Sequence, residues 1–242
     1  MKFPNAGFAG VYFGNTVGGD SPLDNLTIKG NAFITADINT VGNQTYKGRV
    51  YIGDPFWAQS YLNEHFDYMP PPWSNYYNFD ITRVSLSSYD GTITFRSTVD
   101  DVMGYYVRNG LGPIDMSNWT QGFSWGLAIN AWNVNFNRKV GYQSPLWWLK
   151  VNNPDYFDFY GISEDPPFIS IRSGIKTYGY QEYWGAVFIG DPNGSRTVRL
   201  TSTMAHIAFF ATVDDANYSG GMNSLVVKTG NEDAWDIGFA GV

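Results

Sequence analysis

The 242-residue chain contains no cysteine, which excludes a disulfide framework, a thiolate metal site and a thiol nucleophile. It holds only four Glu and seven Lys, too few of the residues that line exposed helices. Histidine is nearly missing, and His65 and His206 make neither a Ser-His-Asp set nor a multi-histidine cluster. Gly18-Gly19 and Gly220-Gly221 lack the following helix and Lys of a phosphate-binding loop, so no nucleotide cofactor is expected. No run approaches the roughly 18 apolar residues of a membrane span, so no membrane insertion is expected. Met1-Lys2-Phe3-Pro4 carries no apolar h-region, which places any export signal outside this sequence. With a net charge of -7 and 15 Lys and Arg scattered along the chain, no basic stripe is read, and no nucleic-acid partner is expected.

What is abundant points to β-structure. There are 17 Tyr, 17 Phe, 9 Trp and 27 Gly, and 43% of the residues are hydrophobic, enough for a sizeable core. Asp outnumbers Glu, as suits turns.

The chain also repeats itself. Thr40 to Pro55 (TVGNQTYKGRVYIGDP) matches Thr177 to Pro192 (TYGYQEYWGAVFIGDP) at 10 of 16 positions. Val84 to Asp101 matches Val198 to Asp215 at 9 of 18, and Val11 to Ile28 matches Val134 to Val151 at 8 of 18. The blocks keep their order, so the sequence reads as one unit made of two divergent copies, about 5–130 and 131–242, with loop insertions at about 56–82, 102–122 and 152–173. Within the blocks apolar residues alternate (Val84, Leu86; Ile93, Phe95; Val50, Ile52; Val11, Phe13) over short runs punctuated by Gly, Asn and Asp. That is strand periodicity. The fold class expected is all-β, a β-solenoid of stacked strands whose insertions bulge at the turns, with a β-sandwich as the alternative.

The motif T-x-G-x-Q-x-Y-x-G-x-V-x-I-G, followed by V-x-L-x-S-x-x-G-x-I-x-F-x-x-T-V-D, resembles the β-helical repeats of filamentous-haemagglutinin-type secreted adhesins. Gln44, Tyr46, Gly48, Val50, Ile52, Gly53, Val84, Leu86, Ser88, Gly91, Ile93, Phe95, Thr98, Val99 and Asp100, with their second-copy partners, carry the likeness. The resemblance implies a right-handed parallel β-helix, an extracellular or cell-surface location and a role in attachment.

Several residues are candidates for chemistry. The pairs Asp100-Asp101 and Asp214-Asp215 offer carboxylates that calcium or a glycosidase could use. The plainer reading is turn residues, because adjacent side chains of an extended chain point opposite ways. The insertion from Phe56 to Phe79 gathers Trp57, Tyr61, Tyr68, Trp73, Tyr76 and Tyr77 around Pro70-Pro71-Pro72. Such rings either stack on a glycan or protein ligand or pack the loop against the body of the fold. Asp155 to Tyr160 and Trp147-Trp148 read in the same two ways. No metal is assigned beyond the calcium candidates, and no catalytic residue is assigned.

The function expected is a structural, adhesive segment, not an enzyme, with loops that are candidates for a glycan or protein receptor. Gly7 to Val11 recurs as Gly238 to Val242 (GFAGV), from which further repeats or head-to-tail self-association are expected. The competing classes are a tailspike-like polysaccharide depolymerase and a lectin.

Overall fold

A computed structural model describes residues 10–55, 83–103, 125–153, 167–217 and 222–230, and the backbone of Ile237–Phe239. Among the described residues the alternating segments form 19 strands. Every pairing between them is parallel. A sandwich of hairpins would be antiparallel, so the sandwich alternative does not describe this chain, and the pairing is compatible with a β-helix.

The strands fall into three ladders. Ladder one runs through β1 (Gly10–Phe13), β3 (Asn31–Ile34), β6 (Val50–Ile52) and β8 (Val99–Asp101), then by bridges at Val140 to β12 (Ile175–Thr177), β15 (Thr197–Ser202) and β18 (Ser224–Thr229). Ladder two holds β4 (Ile38–Thr40), the first halves of β7 (Arg83–Phe95) and β9 (Gly126–Phe136), β10 (Leu149–Asn152), β13 (Gln181–Trp184), β16 (Ile207–Phe209) and β19 (Ile237–Phe239). Ladder three holds β2 (Leu26–Ile28), β5 (Gln44–Tyr46), the second halves of β7 and β9, β11 (Phe168–Ile171), β14 (Ala186–Ile189) and β17 (Val213–Asp215). The chain visits one, two and three in turn and then returns to one, adding a rung each time.

Two expectations on strand length and loop position need correction. The strands are not all short: β7 and β9 have 13 and 11 residues, because each runs through the corner from ladder two to ladder three, with a register shift between Ser88 and Thr92. The insertion expected at 152–173 is too wide, since Asn152 ends β10 and Phe168–Ile171 is a strand paired with β9 and β14. Its alternation, Ile169 and Ile171 inward, lies in a stretch that no repeat block covers. The insertion expected at 102–122 likewise starts late, because Val102 and Met103 are buried and Val102 N–H bonds the Ile52 carbonyl. Residues 130 and 131, the expected junction of the copies, lie inside β9. The expected insertion 56–82 lies outside the described residues.

Period-2 alternation turns one side of each strand inward. Ala32, Val50, Val99, Val140, Ile175 and Leu200 form one buried column, and Ile38, Leu86, Ile129, Val151, Tyr183 and Phe209 another. In ladder three the rings of Tyr46, Phe95 and Phe136 stack at 5.3 and 5.4 Å. Burying each such side chain contributes about 1.5–3 kcal/mol.

The repeated T-x-G-x-Q-x-Y motif is a buried polar lock. Thr40 donates its hydroxyl to the Gly42 carbonyl (2.6 Å), Gln44 Nε2 donates to Thr40 Oγ1 (3.3 Å) and to the Ser87 carbonyl one rung on (2.7 Å), and the Tyr46 hydroxyl donates to Gln44 Oε1 (2.8 Å). Ser88 on that next rung closes the set by donating to the Gly42 carbonyl (2.8 Å). Thr177, Gly179, Gln181, Tyr183, Thr201 and Ser202 reproduce each of these bonds within 0.2 Å. Burial pushes both tyrosine hydroxyls far up, so they stay protonated and act as donors. A buried amide is tolerated only when its partners are supplied, which explains why these letters travel together.

The two copies sit on different ladders. The motif's three strands occupy ladders two, three and one in the first copy (β4, β5, β6) and one, two and three in the second (β12, β13, β14). Both other blocks shift by one ladder in the same sense, for Val11 pairs in ladder one and Val134 in ladder three, and Val84 in ladder two and Val198 in ladder one. Turn geometry shifts with them. Gly18 and Gly141 both take φ near +70° (69° and 67°), and a side chain there would also meet the backbone carbonyl of Asn39 or Lys176.

Candidate functional site

The acid pairs occupy the ends of β8 and β17, in ladders one and three, and the structure does not bring them together. Asp101 works as a bracket: one oxygen accepts the N–H of Met103 (2.9 Å) and the other that of Trp125 (2.7 Å), joining the two ends of the segment between them. Asp215 accepts from the N–H of Asn217 (2.8 Å) and Asn223 (2.8 Å) in the same pattern. Asp101 is fully buried, and desolvation, opposed by those two N–H groups and reinforced by the Asp100 charge, pushes it up to about 8. Asp100 is also buried and pushed up by desolvation, with Gln143 N–H (3.0 Å) pulling the other way. The hydrogen bonds of Asn217 and Asn223 hold Asp215 below its ordinary value. Among the described residues no three His, Cys, Asp or Glu gather as a metal site needs, and no helix is long and apolar enough to cross a membrane.

The aromatic candidates Trp57, Tyr61, Tyr68, Trp73, Tyr76 and Tyr77, with His65 and Asp155 to Tyr160, lie outside the described residues. Trp148 lies within them, on the outward side of ladder two. It stacks on Tyr180 (5.5 Å, 6°), which stacks on His206 of the next rung (5.7 Å, 9°). Beside them Trp184 stacks on Phe210 (3.7 Å). Glu182 between the columns accepts Trp184 Nε1 (3.1 Å) and pairs with Lys150 (3.2 Å) and His206 (3.5 Å). Burial raises the Glu182 carboxyl, but these three partners outweigh it and hold the group below its ordinary value. Rings stacked face to face along the ladder turn their edges outward, so the columns bind rung to rung.

Charge is distributed unevenly around the rungs. Each passage from ladder three to ladder one, six rungs running, includes a cation or two: Lys29; Lys47 and Arg49; Arg96; Arg138 and Lys139; Arg172; Arg196. Eight of the 15 Lys and Arg thus fall on one corner. Lys47, Arg96, Asn137 and Arg172 follow one another rung by rung, since each N–H bonds the carbonyl that ends the ladder-three strand below (2.8–3.1 Å). One acid belongs to this corner, Asp191, and it is paired with Arg196 (3.0 Å). On the adjoining outer side of ladder one, Lys176, Arg199 and Lys228 are exposed on three successive rungs.

Two clefts of about 310 and 320 Å³ open beside this corner and share Lys139, Tyr142 and Ser173. The first adds Lys176, Arg199, Thr197 and Thr201, and the second Arg138, Thr98 and Gln143. Tyr142 is 63% exposed, with Lys139 Nζ 3.7 Å above its ring. Gln143 Oε1 and the nearby Arg172 Nε are buried with no hydrogen-bond partner among the described residues. Sequence reasoning missed this corner because rungs differ in length: successive residues of one column, Val11, Ala32, Val50, Val99 and Val140, follow no fixed period. The one signal available is the position of the cations just after the last inward residue of each ladder-three strand, as in Tyr46-Lys47, Phe95-Arg96 and Ile171-Arg172.

Comparison with known protein families, curated proteins and solved structures finds no match to this chain.

Proposed function

We propose that the chain is a stretch of right-handed parallel β-helix with a structural and adhesive role, displayed outside the cell, rather than an enzyme. The carrying observation is the one-ladder shift between the copies. The same lock, bracket and turn serve at different corners, so the ladders are interchangeable and the stack is built by repetition, as suits a rod that carries binding surfaces along its length. The resemblance of T-x-G-x-Q-x-Y-x-G-x-V to filamentous-haemagglutinin-type repeats supports the adhesive reading. Among the described acids, Asp101 and Asp215 are engaged in loop brackets and Glu182 in an ion-paired cluster, which is a structural use of each.

Small-angle scattering and negative-stain microscopy test the shape. A rod whose length equals the number of rungs multiplied by about 4.8 Å is expected, and an isotropic particle would overturn the helical reading. Incubation with capsular and plant polysaccharides tests the role, because new reducing ends or unsaturated sugars would establish the tailspike-like depolymerase instead. Binding to neutral glycans that is abolished by Trp73→Ala or Trp57→Ala would establish the lectin.

A further inference from the structure

We infer that the corner between ladders three and one, together with its two clefts, binds a linear acidic polysaccharide laid parallel to the ladders. The chain as a whole is acidic, at -7, yet this corner presents cations on six successive rungs with Asp191 as its one acid. Like charges stacked about 4.8 Å apart repel one another. Lys29, Lys47, Arg96, Arg138 and Lys139 are exposed, and none has an acidic partner among the described residues. A ligand with anionic groups repeated along its length relieves that repulsion at every rung.

The clefts narrow the ligand's chemistry. Beside Lys139, Lys176 and Arg199 they offer the hydroxyls of Ser173, Thr197 and Thr201 and the exposed ring of Tyr142. Gln143 Oε1 supplies a buried acceptor that lacks a donor. An acceptor in a cationic cleft suits a ligand that brings hydroxyl donors as well as negative charge, and a sugar acid brings both. A phosphodiester backbone brings charge with few donors. A narrow strip of cations along one corner of an otherwise acidic body also fits a thin chain better than a duplex.

The inference rests on the stacking of the rungs and not on the adhesive reading. Binding of the full chain to polygalacturonate, to neutral dextran of matched length and to oligo-dT is measured by calorimetry over a salt series. Polygalacturonate is expected to bind at low salt, with affinity falling log-linearly as salt rises, while dextran is expected not to bind. The triple substitution Lys47→Glu, Arg96→Glu, Arg138→Glu is expected to weaken binding by about tenfold or more, and Arg83→Glu, an exposed cation outside this corner, to leave it unchanged. Lys176→Glu with Arg199→Glu provides an independent pair at the first cleft, and a circular-dichroism melt of each variant reports folding. Equal binding of dextran, or folded variants that bind like the parent chain, would overturn the site. Tighter binding of oligo-dT would overturn the saccharide assignment. Cleavage of polygalacturonate would overturn the adhesive reading while leaving the binding corner in place.

Discussion

Asp101 and Asp215 end the same Thr-Val-Asp-Asp segment in the two copies, and each carboxylate accepts two backbone N–H groups at the two ends of a loop. Asp101 is nevertheless buried and pushed up to about 8, while Asp215 is pulled below its ordinary value. The two backbone hydrogen bonds are common to both, so the difference comes first from the burial of Asp101 beside the Asp100 charge, with a further side-chain hydrogen bond from Asn223 Nδ2 on Asp215. Asp101 lies on ladder one with Gln143 and Ser144 of the next rung bonded to its neighbour Asp100 and to its own N–H. Asp215 lies on ladder three, on the last of its described strands. A local motif sets partners, and position in the stack sets the energy of the charge.

The largest expected effect breaks this symmetry with pH. For Asp101 the folded value exceeds the unfolded one, so the folded state holds a proton that the unfolded chain releases. Its contribution favours folding below about pH 4 and is lost as pH rises toward about 8, by about 5 kcal/mol at most. Urea midpoints measured from pH 4 to pH 8 should fall, and Asp101→Asn should flatten that slope. Asp215 has the opposite sign: its contribution is present above its ordinary value and lost at more acidic pH, so Asp215→Asn should leave the pH 4–8 slope unchanged. Equal slopes in the two variants would mean that the two environments do not differ.

Next in size are the inward rings. Phe95 is stacked between Tyr46 and Phe136, and Phe209 stacks on Tyr183. Each is buried, and replacement of either by Ala should cost about 3–5 kcal/mol in chemical denaturation. If either were tolerated, its inward register would be wrong.

The polar locks should be equivalent where the acids are not. Gln44→Leu and Gln181→Leu each leave a tyrosine hydroxyl and a carbonyl of the next rung without a partner, at a cost of about 2–4 kcal/mol. The two costs should agree within about 1 kcal/mol, and a larger gap would show that the ladders are not interchangeable. At the small end, Arg96→Ala and Thr94→Ala on the outward side should change stability by no more than about 0.5 kcal/mol.

Much of the scaffold was legible because its rules are local. Alternation at Val84, Leu86, Ile93 and Phe95 identified inward positions, and all four are buried. The recurrence of Thr, Gly, Gln and Tyr at fixed spacing marked the repeat, but that these side chains bond to one another and to the next rung emerged only in the structure. Strand β11 was missed because Phe168–Ile171 is short and has no repeat partner. The cationic corner was missed because its successive members are up to 47 residues apart, Arg49 to Arg96.

The sequence by itself determined the all-β class, the inward face of each repeated strand and the recurrence of one motif, because these follow from period-2 geometry and from local residue spacing. Tertiary structure alone decided which ladder each copy occupies, that Asp101 is buried and Asp215 is not, and that scattered cations share one corner. Those outcomes depend on which rungs become neighbours. Stacking of rungs of unequal length sets that, and no local rule encodes it.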